Sequence, residues 1–453
     1  MSASRPARRT DARKARTVAV ASYIGTTIEW YDFFIYGIAA TLVFRSQFFP
    51  AFSELGGTLA SLGTFAVGFV ARPLGGIVMG HFGDRVGRKS MLVVSLLLMG
   101  VATTAIAFVP TYAAVGGWAP VLLVLLRLVQ GVGVGGEWGG AVLMAVEHAP
   151  PGRRSLYGCF PQLGLPSGIM LSQLVFLLLT SVLPQGAFVA WGWRLAFLTS
   201  ALLIIVGLVV RLRIEESADF TRVRASGEVA RLPVLEVFRR SPLQLLVGSV
   251  MSIAAPAIGY LASVYMVTYG TATLKLPQTT MLWILVGVSA FWCLMVLAGG
   301  IAGDRLARKP VFVFGAALGV VWAFPLFWLI DTASVPLVVL SLCVITAGNA
   351  IMGGVQPALI TDMFPVHLRY SGASISYMAA SVVGGGVTPL LATALYAEFG
   401  SSTAVSALMA AVCLVSLVAI VAAGRRTLQA GAAHDPTAHR STGTPEERRT
   451  NRA

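Results

Sequence analysis

Charge is what this sequence lacks most. Only 11% of its 453 residues are Asp, Glu, Lys or Arg, against about a quarter in an ordinary soluble domain. Too few ionic groups remain to wet the surface of a soluble globule, which excludes a soluble enzyme. Cysteine is equally scarce. The four present, Cys159, Cys293, Cys343 and Cys413, lie far apart inside apolar runs with no CxxC pair. They read as small packing residues rather than a disulfide framework or a zinc site. The apolar segments are continuous and do not alternate with period two, so a closed β-barrel is excluded. No small-residue cleavage site follows the basic N-terminal stretch, and the first apolar run is too long for a signal-peptide core, so it reads as a retained span. His81, His148 and His367 fall at helix ends, which argues for interfacial roles over metal binding. No cofactor and no metal are expected.

Hydrophobic residues, by contrast, make up 56% of the chain. A bilayer core about 30 Å thick takes roughly 20 apolar residues per helix. Runs of that kind fall near 18–44, 57–80, 91–110, 119–146, 156–183 and 192–212, then near 243–271, 278–300, 310–330, 335–360, 371–396 and 402–424. The fold class is therefore all-α and polytopic, with twelve transmembrane helices arranged six plus six. The domain division follows: a basic tail (1–17), a first bundle (18–213), a polar connector (214–242), a second bundle (243–424) and a polar tail (425–453) read as disordered. The connector carries both charge signs and reads as an amphipathic segment lying on the surface.

The net charge of +14 comes from 33 Lys and Arg against 19 Asp and Glu. These basic residues form no single patch, which excludes a nucleic-acid partner. Assigning both tails, the connector and every second loop to one side places nearly all of them there. Only Arg45, Arg194 and Lys275 fall on the far side, and Arg72 and Arg127 fall within spans. The positive-inside rule then puts both termini in the cytoplasm of a multi-pass plasma (cytoplasmic) membrane protein. The lipid bilayer is its obligatory partner, and a functional monomer is expected.

The two halves echo each other. Gly80-His-Phe-Gly-Asp84-Arg85-Val-Gly87-Arg88-Lys89 follows the second span, and Gly300-Ile-Ala-Gly-Asp304-Arg305-Leu-Ala307-Arg308-Lys309 follows the eighth. Glu147, Pro150 and Arg154 after the fourth span match Asp362, Pro365 and Arg369 after the tenth, with nearly the same displacement. Internal duplication of this kind marks a pseudo-symmetric membrane carrier. On these residues the sequence resembles the major facilitator superfamily, over about residues 18 to 424. Glu29-Trp-Tyr-Asp32-Phe-Phe, Arg72-Pro-Leu-Gly-Gly and Arg127-Leu-Val-Gln130-Gly-Val-Gly-Val-Gly-Gly-Glu137-Trp-Gly-Gly narrow the resemblance to its metabolite:proton symporter family. Gly80 to Arg85 and Ala380 to Pro389 are most similar to the shikimate-transporter branch. In the second loop motif Ala307 stands where glycine is expected.

Unpaired charge at mid-helix costs roughly 3 kcal/mol on insertion scales. The first six spans nevertheless contain Glu29, Asp32, Arg72, Arg127 and Glu137, whereas the last six hold no charge at mid-depth. Glu29 and Asp32, three apart, share one side of the first helix. At about 1.5 Å per residue, Asp32 lies roughly 21 Å along a helix starting near residue 18, and Arg127 roughly 12 Å below the far end of its own. These depths are compatible with Asp32 or Glu29 pairing with Arg127, and a similar count brings Arg72 near Glu137. The competing readings are static ion pairs that lock helices and a carboxylate that loads a proton. Low dielectric favours a protonated carboxylate and a neighbouring arginine the ionised one. An anion that engages the arginine would release the carboxylate to take the proton.

The residues and the resemblance together imply a non-enzymatic, proton-coupled symporter that imports a small hydrophilic organic anion, shikimate-like or another carboxylate, by alternating access. Asp32 leads as proton site, followed by Glu29 and Glu137. Arg127 leads as anion contact, followed by Arg72, with Gln130 and Tyr36 beside them. Asn349, Gln356, Tyr260 and Tyr377 of the second half are the candidates to meet hydroxyl groups, and Tyr265 and Tyr269 lie in the same region. By resemblance, Asp84, Arg85 and Arg88 act as a gate latch, joined at the inner face by Asp304, Arg308, Glu147, Arg154, Asp362 and Arg369.

Three alternatives stand beside this reading. An antiporter exporting drugs or metabolites would show Gly-Pro-x-x-Gly-Gly in the fifth span, where only scattered Gly158, Pro161, Gly164 and Pro166 occur. An osmoprotectant (proline/betaine) symporter of the osmosensing kind would carry a C-terminal coiled coil, and the tail has no sustained heptads. A membrane enzyme would need a spaced nucleophile–base set, which is missing. Gly131, Gly133 and Gly136 satisfy GxGxxG, but no strand precedes them, so close helix packing is expected instead. Pro161, Gly164, Pro166 and Gly168, and Gly384–Gly386 with Pro389, are expected to mark kinks.

Overall fold

The computed structural model describes residues 5–212 and 233–428, apart from the side chains of residues 5–13, 80, 84, 85, 88, 233, 425 and 426. Among the described residues every regular element is helical. Twelve long passages follow in order: α1 (Arg5–Ala39, continued by a π-helical turn Ala40–Phe44), α2 (Glu54–Val86), α3 (Arg88–Ile106), α4 (Trp118–Glu147), α5 (Arg154–Val182) and α6 (Gln185–Leu212). The second set is α7 (Pro242–Thr273), α8 (Gln278–Arg305), α9 (Arg308–Ile330), α10 (Val335–Asp362), α11 (Val366–Phe399) and α12 (Ser402–Ala422). The passages α2 to α12 are each long and apolar enough to cross a membrane. The first is not, because Glu29, Asp32 and the polar rings around them dilute its hydropathy, yet α1 packs along α5 and α6 as an integral member of the bundle. Helix already begins at Arg5, so residues assigned above to a tail continue α1.

In lipid, helices gain nothing from mutual hydrophobicity, so close approach must come from small residues. The glycines of α4 serve this purpose. A Cβ on Gly131 would lie 2.3 Å from the Gly68 carbonyl oxygen, and one on Gly135 would lie 2.2 Å from that of Arg72. Of the GxGxxG pattern, Gly131 and Gly136 join this seam with α2, while Gly133 packs on Ser95 and Met99 of α3. The duplicated pair behaves alike: Gly354 of α10 presses on the backbone of Gly299 and Gly300 in α8. Similarly, Gly164 and Gly168 seat α5 on Thr26, Trp30 and Tyr31 of α1. There α5 runs as one continuous helix through Pro161 and Pro166. In α11 the irregularity is real, since Val382–Val387 forms a π-helical segment. Its Gly384 and Gly385 admit Ile253 and Tyr260 of α7 and Phe69 of α2.

The halves meet where α5 lies along α8 and α2 along α11. At the centre of that contact Tyr260 of α7 inserts among rings of the first half. Its ring centre lies 4.9 Å from that of Phe69, 5.2 Å from Phe34 and 5.7 Å from Phe65. Of the connector, residues 214–232 lie outside the described residues, as does the tail beyond 428. The described part is a short helix, Pro233–Arg240, which buries Val237, exposes Leu235 and Phe238, and touches α2, α11 and the turn Val366–Leu368.

Replacing Gly131 with Val drives a side chain into the α2 backbone, so a loss of about 3 kcal/mol or more is expected. Gly63→Ala, where nothing lies within 4 Å of the new Cβ, is expected to leave stability the same or slightly higher. Monodispersity and chemical unfolding in detergent measure both.

Candidate functional site

The face of α1 that holds Glu29 and Asp32 also holds Trp30 and Phe33, and it turns toward α2, α4 and α6. All five charged residues picked out in the first-half spans are buried, Glu29 at 1% and Glu137 at 2% exposure, the other three fully. The structure brings them into one region but pairs them differently from the depth count.

Arg127 makes no ion pair with Asp32 or Glu29. Its guanidinium lies over three rings, 3.8 Å from the centre of Phe33, 4.2 Å from Tyr36 and 4.9 Å from Phe65. One of its nitrogens donates to the Gln130 side-chain oxygen. The Gln130 amide then donates to the Asp32 backbone carbonyl (3.2 Å) and to the Thr103 hydroxyl (2.9 Å). Gln130 therefore stands between the two residues expected to touch. The Asp32 carboxylate accepts from the Ser200 hydroxyl of α6 through one oxygen, and its other oxygen has no partner. The Tyr36 hydroxyl donates to Thr64 at 2.8 Å.

Arg72 sits on the other side of the same ring. Its guanidinium carbon is 4.1 Å from the Phe33 centre, 4.5 Å from Phe69 and 5.2 Å from Trp30. It is fully buried, and none of its three side-chain nitrogens has a hydrogen-bond partner. A desolvated cation–π contact is worth roughly 2 kcal/mol, well short of solvating a bare guanidinium. The two cations that share Phe33 also repel. They lie no more than about 8 Å apart, so at an effective dielectric of 20 the repulsion is about 2 kcal/mol. Glu29 lies within electrostatic reach of Arg72 but forms no ion pair with it, so the two cations remain under-compensated. One Glu29 oxygen is likewise buried and unpartnered.

Glu137 does not meet Arg72. It forms an ion pair with Arg211 of α6 and accepts from the Ser95 hydroxyl at 2.9 Å, while Arg211 also donates to the Leu92 carbonyl. Arg211 ends an apolar run and so reads in the sequence like any basic residue at a membrane edge. Here it is 3% exposed and packs over Gly25. This buried pair is fully used, so Glu137 is set apart from the other two carboxylates.

The second half contributes uncharged groups with spare capacity. The Tyr260 hydroxyl, the Asn349 side-chain oxygen and both polar atoms of the Gln356 amide are buried without partners. The other end of the Asn349 amide donates to the Ala255 carbonyl of α7 at 3.1 Å. Tyr377 stacks face to face on Trp138 of α4 at 3.9 Å, and Trp138 donates to Gln162 of α5. Tyr265 and Tyr269 belong to a separate cluster toward the far end, where Tyr269 donates to Asp331.

At the end that carries the loop motifs, the halves are clasped together. The Asp304 carboxylate accepts from the backbone N–H groups of Ser155 and Leu156 at 2.8 and 2.9 Å. These are orphan donors at the start of α5, where a carboxylate is favoured. Asp362 pairs with Arg308 and, at 2.9 Å, with Arg154. Arg308 further donates to the Ser155 hydroxyl at 3.0 Å. Four of the expected gating residues thus meet, one from the first half and three from the second. Arg369 turns to the Phe364 carbonyl instead, and Glu147 ends α4 at the same face. The side chains of Asp84, Arg85 and Arg88 lie outside the described residues. Sequence reasoning missed Ser95, Thr103, Ser200 and Arg211, as well as the rings of Trp30, Phe33, Phe65 and Phe69. Aromatic crowding around Glu29 and Asp32 was the available signal for the rings.

Two six-helix halves around a buried, anion-deficient centre define a membrane carrier. The chain belongs to the Major Facilitator Superfamily, whose family model matches residues 22–388 and 271–449. It is 41% identical over 411 residues to an inner membrane metabolite transport protein of Escherichia coli (strain K12), a match covering 89% of this chain and 93% of the relative. It is 40% identical over 412 residues to the shikimate transporter of the same strain, with the same coverage. A putative proline/betaine transporter of Staphylococcus aureus (strain MSSA476) is 29% identical over 411 residues, covering 90% of this chain and 88% of the relative. Among solved structures, the proton:xylose symporter XylE bound to 6-bromo-6-deoxy-D-glucose superimposes with a TM-score of 0.73 at 18% identity, covering 90% of this chain and 95% of that one. That likeness concerns the fold. The protein is thus a multi-pass transporter of the metabolite branch with a small-molecule substrate, and not an enzyme.

Glu137→Gln leaves Arg211 buried without its counter-charge and is expected to cost about 3–5 kcal/mol. Replacing both residues with Met is expected to restore most of it. Unfolding of the detergent-solubilised variants measures this, and a single variant as stable as the parent would contradict the buried pair.

Proposed function

We propose that this protein is a proton-coupled symporter that imports a small hydroxylated organic acid, shikimate-like, by alternating access. One observation carries the reading: Arg72 is a fully buried guanidinium whose side-chain nitrogens make no close hydrogen bond and no ion pair. A substrate carboxylate supplies what Arg72 is missing, in the bidentate geometry a guanidinium favours. Arg72 therefore moves ahead of Arg127 as the anion contact, because all three of its side-chain nitrogens are open, whereas one Arg127 nitrogen is bound to Gln130 and two are open. The unpartnered Tyr260, Asn349 and Gln356 groups suit hydroxyls on the same substrate, with Tyr377 beside them through Trp138.

Asp32 takes the proton in this scheme. It is buried, half-satisfied by Ser200 and linked through Gln130 to Arg127, with Glu29 as the second carboxylate. The clasp of Asp304, Arg308, Arg154 and Asp362 closes one end of the carrier, and Asp84, Arg85 and Arg88 act as its first-half counterpart. The distribution of basic residues supports a cytoplasmic position for that end and for both termini, in the plasma membrane, with the monomer as the working unit. Greater identity to the shikimate transporter than to the proline/betaine transporter favours a hydroxylated acid over an osmoprotectant.

Labelled shikimate uptake into proteoliposomes tests this. An inward proton gradient is expected to drive accumulation, and Arg72→Gln to lower it at least a hundredfold. Asp32→Asn is expected to abolish gradient-driven accumulation while retaining exchange of internal for external substrate. Accumulation indifferent to the gradient would refute symport, and preferential uptake of labelled betaine would replace the acid with an osmoprotectant.

A further inference from the structure

Phe33 is, among the described residues, the one ring that lies under both buried guanidinium groups, 4.1 Å from Arg72 and 3.8 Å from Arg127. Each cation has private rings besides: Trp30 and Phe69 for Arg72, Tyr36 and Phe65 for Arg127. The shared ring directly follows Asp32 on α1, and it is held edge-on by Phe69 at 4.8 Å and at a tilt by Phe65 at 4.9 Å. A continuous chain of contacts therefore runs from Arg72 through Phe33 to Arg127, then through Gln130 to the Asp32 backbone. No hydrogen bond or ion pair joins Arg72 to Arg127 or to Asp32 among the described residues, so the ring is the direct link.

We propose that Phe33 is the positioning residue that couples anion occupancy at Arg72 to the proton site at Asp32. The coupling rests on the function proposed above. A guanidinium is attracted to the electron-rich face of a ring, and two cations on one ring compete for it while repelling each other. An anion arriving at Arg72 neutralises that cation and draws it from the ring. Arg127 then settles more firmly on Phe33, which shifts its hold on Gln130 and, through Gln130, on α1 at Asp32. Without the ring's charge distribution, binding at Arg72 reaches Arg127 only through the relieved repulsion between the two cations, which has no contact to steer it.

The test compares full-length variants in proteoliposomes with labelled shikimate. Phe33→Leu removes the ring, Phe33→Trp keeps one, and trifluorophenylalanine introduced at position 33 keeps the shape while draining charge from the face. Two rates are read for each: exchange at equal pH, and accumulation driven by a proton gradient. The leucine and fluorinated variants are expected to lose at least tenfold more in accumulation than in exchange, and Phe33→Trp to keep the ratio of the two within threefold of the parent. The fluorinated variant preserves packing, so the result survives a leucine variant that does not fold. Equal loss of exchange and accumulation in the fluorinated variant, or no loss in either, overturns the proposal. If the unmodified protein itself fails to accumulate shikimate under the gradient, the symport reading falls, independently of Phe33.

Discussion

Two guanidinium groups buried against one phenyl ring set the terms for the whole first half. Burying a cation without a counter-ion is unfavourable by several kcal/mol even after relaxation, so the surroundings must compensate in other ways. They do so asymmetrically. Arg127 is held by Gln130, which is itself held by α1 and α3. Arg72 receives rings only. The density of aromatic residues in α1 and α2 follows from this need. So does the closeness of α4 to α2, which the glycine seam permits. The ring of Tyr260 then makes the same cluster an interface between halves, so that the proposed ligand at Arg72 would lie against both. A carrier that alternates between two faces must have its substrate at such an interface.

Depth along each helix was legible in the sequence, and rotation about its axis was not. Hydropathy and the rise per residue located the spans, the duplicated loops and the charged positions, because each depends on distance along the chain. The partners of those charges depend on which way each helix faces, and that is decided by packing. Asp32 and Arg127 do lie near each other, with Gln130 inserted between them. Arg72 and Glu137 both belong to the buried set, but Glu137 turns toward α6 and finds Arg211. Arg211 could not be recognised as a core residue from the apolar pattern, since it closes a hydrophobic run and so resembles any basic residue at a membrane edge. Ser200 and Thr103 gave no signal at all. A single hydroxyl in a span is common, and only its partner makes it meaningful.

The halves divide the work by chemistry. The first half buries three carboxylates and three guanidinium groups, namely Glu29, Asp32 and Glu137 with Arg72, Arg127 and Arg211. The spans of the second half offer amides and phenols at mid-depth. Charge near the centre of only one half would confine the proposed proton chemistry to one side of the interface and leave neutral polar groups on the other. The duplicated loop motif, by contrast, is used in the second half to bind the first, through Asp304 at the start of α5.

The ion pairs also differ in how easily they can be broken. Glu137 and Arg211 are 3% and 4% exposed at their side chains, whereas Arg154, Arg308 and Asp362 are 32%, 25% and 14% exposed. A deeply buried pair resists separation by roughly 3–5 kcal/mol, because each partner left alone stays desolvated. The clasp pairs, partly exposed at their arginines but with Asp362 largely buried, fall between that and the roughly 0–1 kcal/mol of a fully exposed pair. The clasp between the halves is therefore easier to break than the Glu137–Arg211 pair. The Glu137–Arg211 pair lies within one half, between α4 and α6, where separation would serve no transport step. Strength is placed where the structure must stay rigid, and weakness where it must move.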